Sequence, residues 1–235
     1  MPGVGAQVIN VEGKRFLKDT NGFVGRLDLL YNVSQNVQQI TVISSNIHIQ
    51  FKKNAHRLLA VSDYAFIKAG PSDFVNSGYG HLRYNGKLNK WLTFEGFVQA
   101  QYNRALLLDR RFLAGAGPRF RILKRTHVKL YAAGLYMSEF QSQNNDSAHA
   151  FNNRISSYLS LTLDFSKIDF SGTVYYQPNV ANLADYRFAG DFLFELEITK
   201  KLNYKTGFNF LMDTRQPFRV PAFTYILRNG LSFKF

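Results

Sequence analysis

From Gly22 onward, apolar and polar residues alternate with a period of two, not 3.6. Between Asp185 and Thr199 one set holds Phe188, Gly190, Phe192, Phe194, Leu196 and Ile198. The interleaved set holds Arg187, Ala189, Asp191, Leu193, Glu195 and Glu197. Wound into a helix, this segment would spread charge and aromatics over every face; extended, it has one greasy face and one charged face. The pattern recurs in Ile168–Gln177, Arg154–Phe165 and Leu92–Asn103. Several such segments exceed the five or six residues usual in a soluble strand. They match the ~9–11 residues with which a tilted strand crosses a bilayer.

Breaking the chain at its turn signals predicts twelve strands, near 22–34, 38–51, 56–68, 75–86, 91–104, 110–123, 127–140, 152–165, 168–179, 185–199, 202–213 and 222–235. Every second connection is tight and basic: 52–55, 87–90, 124–126, 166–167 and 200–201. The others are mostly longer, notably 69–74, 141–151, 179–184 and 214–221. Short turns at one end and long loops at the other are expected of an outer-membrane barrel, with the short turns periplasmic and the long loops extracellular. The fold class predicted is therefore an all-β, transmembrane, antiparallel up-and-down barrel of about 12 strands. Residues 22–235 form it, 7–21 are an N-terminal periplasmic segment, and 1–6 are a signal-peptide remnant. In that remnant Val4 and Ala6 stand where a signal peptidase expects small residues.

Face by face, the pattern is inside out relative to a soluble sandwich, whose charged face meets water. The apolar faces are crowded with Phe and Tyr and are placed against lipid, where every backbone polar group must be paired. The charged faces mix signs and are placed in the lumen. Arg26, Asp28, Glu95, Arg119, Arg121, Arg154, Asp164, Arg187, Asp191 and Glu195 are the predicted lumen charge network.

Composition sharpens this. Aromatics are 15% of the residues, with 22 Phe and 13 Tyr, which suits strands and interfacial girdles. There is no Cys, which excludes disulfides and thiolate metal or redox sites. The net charge of +13 would point to nucleic acid if the cations shared one face, but much of the excess lies in the short turns. No nucleic-acid partner is expected.

The chain's last stretch, Arg228 to Phe235 (RNGLSFKF), places Gly230, Phe233 and Phe235 as the barrel-assembly machinery's C-terminal signal would have them. An exposed terminal strand pairs its edge with that machinery while outward aromatics set the register. In RRFLAGAGPRF, Gly115 and Gly117 face inward beside Arg119 and Arg121, and Pro118 faces outward. The glycines lack the Lys-Ser/Thr and helix of a phosphate loop. His149, Asp146 and Ser147 share a polar loop with no scaffold to fix a triad, and the five His lack metal-ligand spacing.

Residues Gly22 to Leu29 (GFVGRLDL), the Ser34-Gln35-Asn36 turn, Glu95 with Gln99 and Asn103, and Arg111 with Gly115 and Gly117 resemble the uncharacterised barrel family labelled domain of unknown function 481. The resemblance spans Val11 to the end of the chain. It implies a barrel in the outer membrane of a Gram-negative bacterium and supplies no activity or catalytic residues. A small channel or porin-like barrel is therefore the expected function, with no enzyme activity, cofactor or metal. The alternatives are an accessory barrel of a larger envelope complex and a lipid-modifying enzyme. Outer-membrane lipid, the assembly machinery and other outer-membrane proteins are the expected partners.

Overall fold

The computed structural model describes residues 21–35, 37–70, 72–104, 107–143, 150–216 and 220–233. Residues 1–6, nearly all of 7–21, the loop with Asp146, Ser147 and His149, and Phe235 lie outside the described residues. Twelve strands follow in chain order: β1 (Gly22–Gln35), β2 (Gln39–Lys53), β3 (His56–Ala69), β4 (Ser72–Lys87), β5 (Leu92–Asn103) and β6 (Leu108–Lys124). Then come β7 (Val128–Gln143), β8 (Ala150–Asp164), β9 (Ile168–Pro178), β10 (Tyr186–Glu197), β11 (Leu202–Asp213) and β12 (Phe223–Phe233). Each pairs antiparallel with its chain neighbours in a single sheet ordered β1 to β12. The expected strands stand where the alternation puts them, and none is shorter than 11 residues.

The sheet curls around its polar face. Tyr158 of β8 reaches Glu95 of β5 at 2.6 Å, and Arg187 of β10 reaches Glu139 of β7 at 2.8 Å. A sheet brings strands three apart in its order into side-chain contact only by curling. Outward stand Phe112, Tyr136, Phe151, Leu159, Tyr225, Leu227 and Leu231, all exposed. On β9 to β12 the outward rings form a continuous layer, with Phe170 on Phe192, Phe188 on Phe210 and Phe208 on Tyr225. Ring pairs of this kind contribute ~0.5–1.5 kcal/mol beyond area burial.

The connections sort as expected over the second half of the chain. Residues 54–55, 88–91, 125–127, 165–167 and 198–201 connect strands at the short end, and the connections from β7 to β8, β9 to β10 and β11 to β12 are the longer ones. The β3–β4 connection differs from the expected loop over 69–74. β4 begins at Ser72, and Gly70 turns the chain in the left-handed region (φ 57°) that costs glycine no Cβ clash. A register shift between Ile67 and Lys68 absorbs the offset. At the opposite end Asn54 (φ 53°) does the same for the β2–β3 turn, an angle asparagine tolerates.

Candidate functional site

The interior divides into two ionic clusters with an apolar band between them. Near the long loops, Glu139 of β7 has no solvent exposure and is met by three guanidiniums: Arg154 at 2.9 Å, Arg187 at 2.8 Å and Arg111 at 3.0 Å. Arg187 also donates to Asp213 at 2.7 Å, and Arg111 donates twice to Gln141 at 2.9 and 2.6 Å. Arg154, 1% exposed, binds the Asp185 carboxylate at 2.9 Å and the carbonyl oxygens of Gln177 and Asp185. Three cations and the carboxylates of Glu139, Asp185 and Asp213 balance. A buried charge cluster is tolerable only when its members are paired and hydrogen-bonded in this way.

Asp185 belongs to the β9–β10 loop, outside the strands. Burial pushes its carboxyl up, but hydrogen bonds from Arg154 and Asn179 and the charges of Arg154 and Arg187 outweigh burial. They hold Asp185 below the usual carboxylate range. Asn179 donates to the same carboxylate, and Val180 donates its N–H to Asn153 of β8. The loop is thereby pinned over the long-loop mouth.

Nearer the short turns, Glu95 of β5 is also fully buried. Tyr158 and Asn85 each donate to it at 2.6 Å, Arg119 stands 3.6 Å away and Arg83 4.0 Å. Arg119 also lies over the Tyr131 ring at 3.7 Å, a cation–π contact. Between the clusters, Ala133, Leu135, Tyr158, Tyr175, Ala189 and Leu211 pack together with Phe97 against them. All of these side chains lie on the inward face. The expectation that the apolar residues face lipid and the lumen is polar is corrected at this band. Strands β7 and β11 bury small and medium apolar side chains inward because the crowded interior leaves them no water.

A cavity of about 40 Å3 links the two clusters, with Arg83, Arg111 and Arg187 among its walls together with His81, Gln99, Gln177 and Tyr158.

The predicted network residues fall into separate places. Glu95 joins Arg119, and Arg154 joins Arg187 through Glu139. Arg121 is half-buried two residues along β6, next to a register shift. Asp191 pairs with Asn209 of β11. Glu195 bridges Lys205 at 2.7 Å, and Asp164 stands opposite Asp169 at the short-turn end. Arg26 and Asp28 pair with each other at 2.8 Å on the exposed strand β1. Gly230 lies opposite Lys205 and Phe233 opposite Leu202, with the Phe233 ring outward and exposed.

Sequence reasoning missed Glu139, Asp185, Asp213, Arg83 and Gln141 as members of the site, and placed Arg111 only through the family resemblance. Glu139 ends an inward run of Tyr131, Ala133, Leu135 and Met137, so its face reads as apolar. Asp185 and Asp213 sit at strand ends, where an acid reads as turn chemistry. The available signal was strand pairing: Glu139 is one step from Arg111 and Arg154 on the two neighbouring strands. Among the described residues no three His, Asp or Glu are placed to hold a metal.

Twelve up-and-down strands, an apolar exterior and an ion-paired interior define a transmembrane β-barrel. Residues 18–233 match the family model described as a protein of unknown function, DUF481, and the chain belongs to that family. No curated protein matches it. Among solved structures it is similar to a NanC porin structure in a rhombohedral crystal form, at 10% identity and a TM-score of 0.47, covering 83% of this chain and 94% of that one.

Proposed function

We propose that the protein is a narrow channel of the bacterial outer membrane for small polar solutes, without catalysis. The observation that supports it is the arginine-bearing cavity joining the two ionic clusters inside a shell of outward aromatics. Polar walls on both sides of the apolar band offer a solute hydrogen bonds that lipid does not. The architecture supports the outer-membrane assignment, because that membrane holds single-chain barrels with even strand counts, short turns and longer loops.

Planar-bilayer recording of the refolded protein tests this. Small, discrete conductance steps are expected, enlarged when the Glu139 cluster is weakened by Arg154→Gln. A folded, heat-modifiable barrel that passes no current, with or without that substitution, would overturn the channel. A second reading is favoured by one observation: a neutral Arg–carboxylate cluster sits in the interior near the long loops, with the β9–β10 loop pinned on it. On that reading the barrel is a closed accessory subunit, and co-purifying envelope proteins replace the current as its signature.

A further inference from the structure

The cavity between the ionic clusters has walls of one sign only. Its charged side chains are Arg83, Arg111 and Arg187; no Asp or Glu lines it. Glu139, Asp213 and Glu95 engage these arginines from positions outside the cavity lining. His81, Gln99, Gln177 and Tyr158 add polar groups, each of them nine-tenths buried or more. Phe97, Leu113, Leu135, Met137 and Tyr175 complete the walls and keep the local dielectric low.

We propose that this cavity is a binding site for one small monovalent anion, of the size of chloride, nitrate or acetate. Size sets the upper bound. A water needs about 10–15 Å3 on the same measure, so a space of about 40 Å3 holds a few waters or one such ion. Charge sets the sign: the guanidiniums line the space while the carboxylates that pair with them stand outside its lining, so the space meets the positive side of each ion pair and favours an anion over a cation. The donors set the chemistry: Arg111 and Arg187 give N–H groups to Gln141, Glu139 and Asp213, and the N–H groups left over suit the oxygens of a carboxylate or nitrate. The site deepens the channel reading, on which its role in transport rests. In a conducting barrel it is where a permeating anion pauses between two ion-paired layers.

The test is binding first and current second. The full chain, refolded in non-ionic detergent with sodium gluconate as background salt, is titrated with chloride and followed by the 35Cl NMR line width. Excess broadening is expected that acetate and nitrate compete away and gluconate, too large for the space, does not. Gln99→Glu places a negative charge in the wall and should weaken the competable binding on the order of tenfold or more. Arg83→Gln should weaken it in the same direction, and Gln99→Glu carries the test if that variant misfolds. Competable broadening of unchanged affinity in folded Gln99→Glu would overturn the site, because exposed turn lysines would then account for it. Bilayer currents separate the two readings. Anion binding without conductance leaves the site standing and removes the channel. Conductance without competable binding, and with equal permeability to chloride and gluconate, leaves the channel and removes the site.

Discussion

Glu139 has no exposure and holds three arginines, so each of its neighbours depends on its charge. Replacing it with Gln leaves the guanidiniums facing one another across a desolvated space. Losing one partner of a buried ionic group costs ~3–5 kcal/mol. Glu139→Gln is accordingly expected to lower the unfolding midpoint in urea far more than Glu195→Gln, whose partner Lys205 is half in solvent. Equal shifts would mean that Glu139 is stabilised by packing and not by charge. Gly117 supplies a second residue-scale prediction. A Cβ there would run into the Gly134 carbonyl oxygen and the Leu135 backbone of β7. Gly117→Ala is expected to cost about 1–3 kcal/mol through the backbone shift it forces, measured as loss of the heat-modifiable form. Gly80→Ala, whose Cβ would meet open space, is the control. The inward placement of Gly117 and Arg119 is legible from parity alone. The steric reason for Gly117 is not, because it depends on how closely β6 and β7 approach.

The strands were legible as elements because lipid on one side and charge on the other impose strict alternation. Boundaries slipped where a turn is tighter than its composition suggests, as at Gly70 before β4, whose register shift no periodicity announces. The β9–β10 loop was legible as a loop, but its attachment was not, because Arg154 finds Asp185 only once β8 to β10 are side by side. That attachment has a pH dependence whose sign is fixed. Asp185 titrates below its unfolded value of about 3.9 in the folded barrel. Its contribution is therefore complete above pH ~4 and is lost as pH falls through the lower, folded value. Proteolysis within residues 179–185 is expected to be slow at neutral pH and to accelerate in acid, and Asp185→Asn should remove the acid onset. A cleavage rate that is flat with pH in the parent chain would detach the loop from Arg154. At the other terminus, β12 exposes Phe233 outward opposite Leu202. Phe233→Ala is expected to reduce assembly into the membrane more than it reduces the stability of barrel refolded in detergent, since a sorting signal is read only in the first case.

For the whole molecule, the basic short turns make one rim of the barrel positive. Lys52, Lys87, Lys124 and Lys200 lie at or beside that end, and cations at a membrane surface attract anionic headgroups at ~1 kcal/mol each. Changing all four to Gln is expected to weaken association with anionic vesicles while leaving single-channel current unchanged. A changed current with unchanged vesicle binding would place these charges in the permeation path instead. Orientation is checked on intact cells, where the absence of native Cys gives no background. Leu183→Cys in the β9–β10 loop should label, and Lys200→Cys should not.

Among the described residues the strands pair between chain neighbours, whereas the interior contacts reach much farther along the chain. Each described strand pair is consecutive, but Tyr158 meets Glu95 across 63 residues and Arg187 meets Glu139 across 48. Hairpins with so little sequence separation close early, and contacts that span many residues wait for the intervening chain. Folding should therefore run in two stages, a fast zipping of the sheet followed by a slow click of arginine onto carboxylate. Until the click, three guanidiniums and their acids stay hydrated and the half-made barrel remains pliable, which is the state a chain needs while it is being inserted. A pulse of protease during refolding should find the β9–β10 loop open after the strands are already protected.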